Sequence, residues 1–242
     1  MRTLSVNLDH VATLREARKT NYPSLTTAAG ICEVAGADGV TIHLRGDRRH
    51  IQDRDLEIIR QITLLPLTLE MAPTEEMLNI AIRTKPDAVT LVPERRMEIT
   101  TEGGLDPTVN QTYLYDYIQK LKKHNIKVCL FLEPEQEHIK IAKELGVDAV
   151  EIHTGKYSVL FDKFHPEKYE DELKKIRDSA YYGKSIGLQM NAGHGIHYQN
   201  VKPLAKIQEI SEFSIGHAII SRAIFVGLER AIKEMIELIH NP

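Results

Sequence analysis

The sequence predicts an α/β fold: a closed (β/α)8 TIM barrel of eight parallel strands with extra loop and helix insertions, one domain over residues 1–242. Three observations predict it. Eight short apolar segments alternate with helix-patterned ones, which demands parallel strands joined by helical crossovers. The 242 residues suit eight such units better than an open sheet does. An internal echo recurs at every second strand: AGADGVTIHL (35–44), TKPDAVTLVP (84–93) and LGVDAVEIHT (145–154) each carry an aspartate, a small residue and an alternating strand. Asp38, Asp87 and Asp148 then read as turn residues at the bottom of the barrel, where such positions serve stability.

In chain order, residues 4–8 form the first strand, followed by a polar loop with Arg15 and Arg18. Ser24 is an N-cap for a helix to Ala35, stopped by Gly36. The second strand, 40–43, is a β-branched run ending in His43 and leading into a loop rich in arginine. A helix spans 53–62, with Leu56, Ile58, Ile59 and Ile62 as its apolar side. Strand three is LTLEM, 67–71, and Thr74 opens a helix through the box TEEM. Strand four is 88–92. The irregular stretch 93–108, with its charges and paired glycines, predicts a mobile lid. Then come a helix at 109–123, strand five at 127–132, a helix from Pro134 to near Gly146, and strand six at 149–153. A segment TGKYSVLFDKF precedes an amphipathic helix at 167–181. Strand seven is 185–191, a helix follows near 201–207, strand eight is 213–215, and one long helix runs over 218–239.

Composition narrows the function classes. The chain is 42% hydrophobic with formal net charge -3, so no basic excess points to nucleic acid. No apolar run approaches the roughly 18 residues of a membrane helix, and the start MRTLSVNLDH has no signal-peptide pattern. Cys32 and Cys129 sit in apolar contexts and read as small core residues of a reducing, cytoplasmic compartment.

Active sites of such barrels lie at the C-terminal strand ends. Those ends carry Asn7, Asp9 and His10; His43 and Arg45; Glu70; Glu151 and His153; Asn191 and His194; Gly216 and His217. General acids, general bases and anion binders thus converge. Alternation puts His43, Glu70 and Glu151 inward, with Ile42, Leu69 and Ile152 facing the helices. An ion pair with a lid arginine is the alternative use of Glu70. The loops NAGHG and IGHAIISRA, after strands seven and eight, predict a phosphate seat of backbone N–H groups and a helix N-terminus. Arg45, His50 and neighbouring arginines predict a second anion site on the far side of the mouth, hence two phosphorylated substrates or a bisphosphate. Arg48, Arg49 and Arg54 are expected in ion pairs with Asp47, Asp53 or the lid. His124, His138, His165 and His240 read as solvated, and His153 and His197 are open.

The segments VNLDHVATLREAR, GADGVTIHLRGDRRHIQDRD, LTLEMAPTEEM, LVPERR, TTEGGLD, VEIHTG, NAGHG and IGHAIISRA together resemble the pyridoxine 5′-phosphate synthase family over nearly the whole chain. Gly46 and Pro73 depart from its pattern. The resemblance implies an octameric barrel that condenses 3-amino-2-oxopropyl phosphate with 1-deoxy-D-xylulose 5-phosphate, without metal or organic cofactor. It implies proton acceptors His43 and Glu70, a proton donor His194 and a transition-state role for Glu151. It assigns Asn7, Arg18, Gly195, Gly216 and His217 to the aminoketone phosphate. To the sugar phosphate it assigns Asp9, His10, Arg45, His50 and Thr100. Proton transfers suffice for imine formation and eliminations, and no Schiff-base lysine is needed because the substrate brings its own amine. Two other readings compete. A metal-dependent barrel hydrolase would use His10, His43, Glu70, His153 and His194 as ligands, though the sequence lacks a His-x-His pair at strand one. A non-catalytic phosphometabolite-binding protein would need the loops but not the acids.

Overall fold

The computed structural model describes residues 2–94 and 103–242. Eight parallel strands close on themselves in sequential order. They are β1 (Thr3–Asn7), β2 (Gly39–His43), β3 (Leu67–Met71), β4 (Ala88–Leu91), β5 (Lys127–Leu132), β6 (Ala149–His153), β7 (Gln189–Gly193) and β8 (Ile210–Ile215). Around them lie α1 (Asp9–Arg18), α2 (Leu25–Ala35), α3 (Asp53–Ile62), α4 (Glu75–Thr84), α5 (Gln111–Lys123) and α6 (Gln136–Glu144). The ring continues with α7 (Gly155–Asp162), α8 (Pro166–Ser185), α9 (Val201–Ala205), α10 (His217–Val226) and α11 (Leu228–His240).

Period-two alternation explains the layering. Val40, Ile42, Leu67, Leu69, Val150 and Ile152 are fully buried in the shell between strands and helices. The opposite set points inward, where the hydroxyls of Ser5 and Thr41 meet at 2.7 Å. Register places His43 beside Glu70, and Glu151 between Phe131 and Asn191.

The echo has a structural cause. Asp38, Asp87 and Asp148 accept the backbone N–H of Leu4, Leu67 and Val128 respectively, each at 2.9 Å. Each returns its own N–H to the carbonyl of that same residue. The neighbouring strand therefore enters the barrel with both polar groups of its first buried residue satisfied.

Most predicted elements recur within a residue or two, and both predicted side-chain caps form, from Ser24 to the Thr27 N–H and from Thr74 to the Met77 N–H. Four regions differ. The predicted polar loop after the first strand is helix α1; its buried face is Val11, Ala12 and Arg15, and a buried arginine hides the apolar period. TGKYSVLFDKF contains helix α7, which lacks a capping signature because Thr154 Oγ1 donates to the carbonyls of Gly193 and His194 instead. Helix α8 runs on to Ser185, so β7 starts later than predicted. The long final helix is two helices, broken at Gly227, whose φ of 82° and ψ of 153° no L-residue helix tolerates. Cys32 and Cys129 are buried, and burial pushes the Cys32 thiol up to about 12, so neither is a reactive thiolate.

Candidate active site

The upper ends of β1, β2 and β3 build one cluster. Asn7, closing β1, is linked to Asp9 twice: its Oδ1 accepts the Asp9 N–H at 2.9 Å and its Nδ2 donates to Asp9 Oδ2 at 3.1 Å. Asp9 Oδ1 in turn accepts the backbone N–H of His43 at 2.8 Å. A buried aspartate thereby ties the start of α1 to the end of β2 and sets where His43 sits. The His43 ring lies between two carboxylates, Glu94 at 3.1 Å from Nε2 and Glu70 at 3.8 Å from Nδ1.

Glu70 keeps 15% side-chain exposure, enough for a ligand to reach it. Burial, then the charges of Glu151 and Asp9, hold its carboxyl well above the usual range, against a hydrogen bond from Asn7. Glu151, on β6, is pushed up to about 8 by burial and by Glu212 on β8. Carboxyl groups that hold protons near neutral pH can both accept and return them, which is what general acid–base work requires.

The β7–α9 loop supplies the next group. His194 and Gly195 occupy the left-handed region in succession, with φ of 72° and 76°. The Gly195 carbonyl is pinned by Ser158 Oγ at 2.6 Å and Asn200 Nδ2 at 3.1 Å. His194 is pushed down to about 4 by burial and by His153, whose ring centroid is 4.9 Å away, so it is neutral at pH 7. Gly216 caps α10, and a Cβ there would come within 2.9 Å of Asn7 Cβ. The first N–H groups of α10 consequently open beside Asn7, as an anion seat needs. His217, the first residue of α10, is exposed and packs edge-on against His10 with ring centroids 4.9 Å apart.

Arg45 is buried beyond β2, and the His50 ring lies 6.1 Å from His43. Burial lowers the His50 pKa, with smaller contributions from His43, Arg45 and His10. The loop is anchored from below by Arg15, whose two terminal nitrogens bind Asp55 at 2.6 and 2.7 Å and whose Nη2 also donates to the His50 carbonyl. Arg48 pairs with Asp53 and Glu76, and Arg49 with Asp47.

Asn7, Asp9, His10, His43, Arg45, His50, Glu70, Glu151, His194, Gly195, Gly216 and His217 thus all lie at one rim. Arg18 sits two turns beyond His10 on α1, exposed, with no hydrogen bond or ion pair among the described residues. Thr100, residues 95–102 of the expected lid and the lid arginines lie outside the described residues. One geometric expectation is corrected. The Arg45–His50 loop follows β2, and the Gly216 loop follows β8. Both strands adjoin β1, so these two candidate anion seats flank His10 rather than face each other across the mouth, while the NAGHG loop, after β7, lies further round the ring. Only ring closure, which brings β8 back to β1, decides this.

Sequence reasoning missed Glu94, Glu133, Glu212 and Arg15. Glu133 directly follows β5 and binds His153 Nδ1 at 2.8 Å; the strand-end rule that selected Glu70 applies to it equally. Glu94 and Arg15 had no such signal, since their partners are distant in sequence. The zinc set of the hydrolase reading divides, His10 going with His217 and His153 with His194. Asp9, His43 and Glu70 bring one donor atom each within 4.8 Å of one another. Both Asp9 oxygens already accept hydrogen bonds, however, from His43 N–H and Asn7 Nδ2.

A family model described as pyridoxal phosphate biosynthesis protein PdxJ matches residues 4–241. The chain belongs to this family. It is 51% identical over 238 residues to the pyridoxine 5′-phosphate synthase of Aquifex aeolicus (strain VF5), covering 98% of both chains. To the pyridoxine 5′-phosphate synthase of Syntrophotalea carbinolica it is 52% identical over 239 residues, covering 99% of both. Among solved structures it is similar to one described as the native KDPGal structure, with TM-score 0.67 and 11% identity over 98% of this chain and 94% of that one. A 3-keto-L-gulonate-6-phosphate decarboxylase from Vibrio cholerae gives TM-score 0.65 and 13% identity over 99% and 97%. These distant likenesses concern the barrel alone; the family membership rests on the close relatives.

Proposed function

We infer that this chain is an enzyme of vitamin B6 biosynthesis that forms the pyridine ring of pyridoxine 5′-phosphate. It condenses 3-amino-2-oxopropyl phosphate with 1-deoxy-D-xylulose 5-phosphate and releases phosphate and water. The observation that carries this reading, beside the family, is the crowding of proton-holding carboxyls and imidazoles at one barrel rim, with two candidate anion seats beside them. A ring closure through an imine asks for repeated proton removal and return and for little else.

In this reading Glu70 and His43 accept protons, His194 donates one, and Glu151 supports the transition state. Asn7, Arg18, Gly195, Gly216 and His217 hold the aminoketone phosphate, and Asp9, His10, Arg45, His50 and Thr100 hold the sugar phosphate. The chain works as one barrel domain in the cytoplasm, assembled as an octamer, with neither metal nor organic cofactor. Mixing both substrates with the protein tests it: pyridinol absorbance and inorganic phosphate should rise together, and neither substrate alone should give either signal. A protein inactive until zinc is added would favour the hydrolase reading instead.

A further inference from the structure

We propose that Glu133 and His153 form a relay that positions His194 and supplies its proton, an arm of the site on the β5–β7 side of the mouth. The inference rests on the synthase reading and deepens it. His153 is 6% exposed, ends β6 and points into the barrel with Glu151. Its Nδ1 lies 2.8 Å from Glu133 Oε1. Burial works to raise the Glu133 pKa, but the hydrogen bonds from His153 and from the Gly104 N–H outweigh it and keep the carboxyl below its usual range. An ionised carboxylate only accepts, so Nδ1 carries the proton, and in that tautomer Nε2 presents a lone pair.

That Nε2 is buried and has no hydrogen-bond partner among the described residues. A buried nitrogen left without a partner is costly, and here it has a candidate beside it. A Cβ on Gly155 would stand 2.6 Å from His153 Nε2 and 2.9 Å from His194 Cδ2, so the absent side chain leaves open the corner where the two rings converge. A rotation of the His194 ring about its χ2 brings a ring nitrogen toward that lone pair, completing a chain Glu133–His153–His194. Lys156 on α7, a charged neighbour of the arm, is committed to Glu172 at 2.8 Å.

The proton count closes. In each turnover His153 Nε2 takes a proton that enters through the open corner at Gly155, and the imidazolium is balanced by Glu133. The proton passes to His194, which delivers it to the departing oxygen of the substrate. The matching proton leaves carbon through Glu70 or His43 and returns to solvent, so no net charge accumulates. His194 needs such a supply: its own affinity for protons is low, which makes it a strong acid once charged and an empty one at rest.

His153→Asn keeps a donor near the Nδ1 position and deletes Nε2. Its kcat should fall about 100-fold, the usual order for one proton-transfer group, with KM for both substrates within about threefold. His153→Gly should regain rate with added imidazole but not with pyrazole, which fills the same space without the basicity. In the unmodified protein, nitrogen-detected histidine NMR should find His153 protonated at Nδ1. A His153→Asn enzyme with unchanged kcat, equal rescue by pyrazole, or an Nε2–H tautomer in the native protein each overturns the relay. The NMR result stands even if the variants do not fold. An unmodified protein that makes no pyridinol would sink the synthase reading itself, whereas turnover unaffected by His153→Asn sinks only the relay.

Discussion

The two rims of the barrel use the same side chain for opposite ends. At the lower rim Asp38, Asp87 and Asp148 each meet a backbone N–H and stay near solvent. At the upper rim carboxylates meet one another. Burial and the charge of Glu151 raise Glu70, and burial and Glu212, which sits deeper in the barrel beside Asn191, raise Glu151. The first arrangement stabilises the fold and does no chemistry. The second costs stability and gains proton affinity near neutral pH, the trade expected where function is built into a scaffold.

Glu70→Gln should break the upper rim most visibly. Its kcat should fall by ~10³-fold or more while both substrates still bind and the thermal midpoint holds or rises, because a strained buried acid is removed. Steady-state kinetics beside thermal unfolding check this; retained turnover would take Glu70 out of the mechanism. Arg15→Met comes next. It strands Asp55 without its buried partner, a loss of ~3–5 kcal/mol, and frees the His50 loop, so KM for the sugar phosphate should rise more than kcat falls. At the lower rim, Asp87→Ala leaves the buried Leu67 N–H without its acceptor. Chemical denaturation should show a loss of ~1–3 kcal/mol with kcat/KM unchanged.

The rims should also separate with pH. Glu151 holds its proton in the folded chain up to about 8, whereas the unfolded chain releases it near 4.5, so stability falls as pH rises through that window. His194 titrates near 4 when folded and near 6.5 when unfolded, so its contribution is lost as pH falls from 6.5 toward 4. Glu151→Gln should flatten the alkaline limb by up to ~1.4 kcal/mol per pH unit, read from urea midpoints at pH 6 and 9. A limb that stays as steep would place the responsible group elsewhere. The smallest effect belongs to the exposed pair Arg83–Glu57, 3.3 Å apart, whose removal should stay within ~1 kcal/mol and leave kinetics untouched.

What could be read along the chain was whatever depends on neighbours in sequence. Strand alternation, the caps at Ser24 and Thr74, and the aspartate echo are local patterns, and they were enough to predict the barrel and to put His43, Glu70, Glu151 and His194 at its mouth. Helix α1 escaped because the partner that makes Arg15 a core residue, Asp55, lies 40 residues away. Helix α7 escaped because Thr154, its would-be cap, bonds across to the β7 loop.

Fold class and the residue types at the strand ends follow from the chain's own order, since hydrophobic period and residue type are written there. Tertiary structure alone decided who stands beside whom. Closure of the ring set the Arg45–His50 loop and the Gly216 loop on either side of β1. Packing aimed Glu94 at His43 and Glu133 at His153, and burial of carboxyls against carboxyls turned ordinary acids into groups that hold protons at neutral pH. Those outcomes depend on distances between residues far apart in the chain and on the water excluded between them, and no local pattern encodes either.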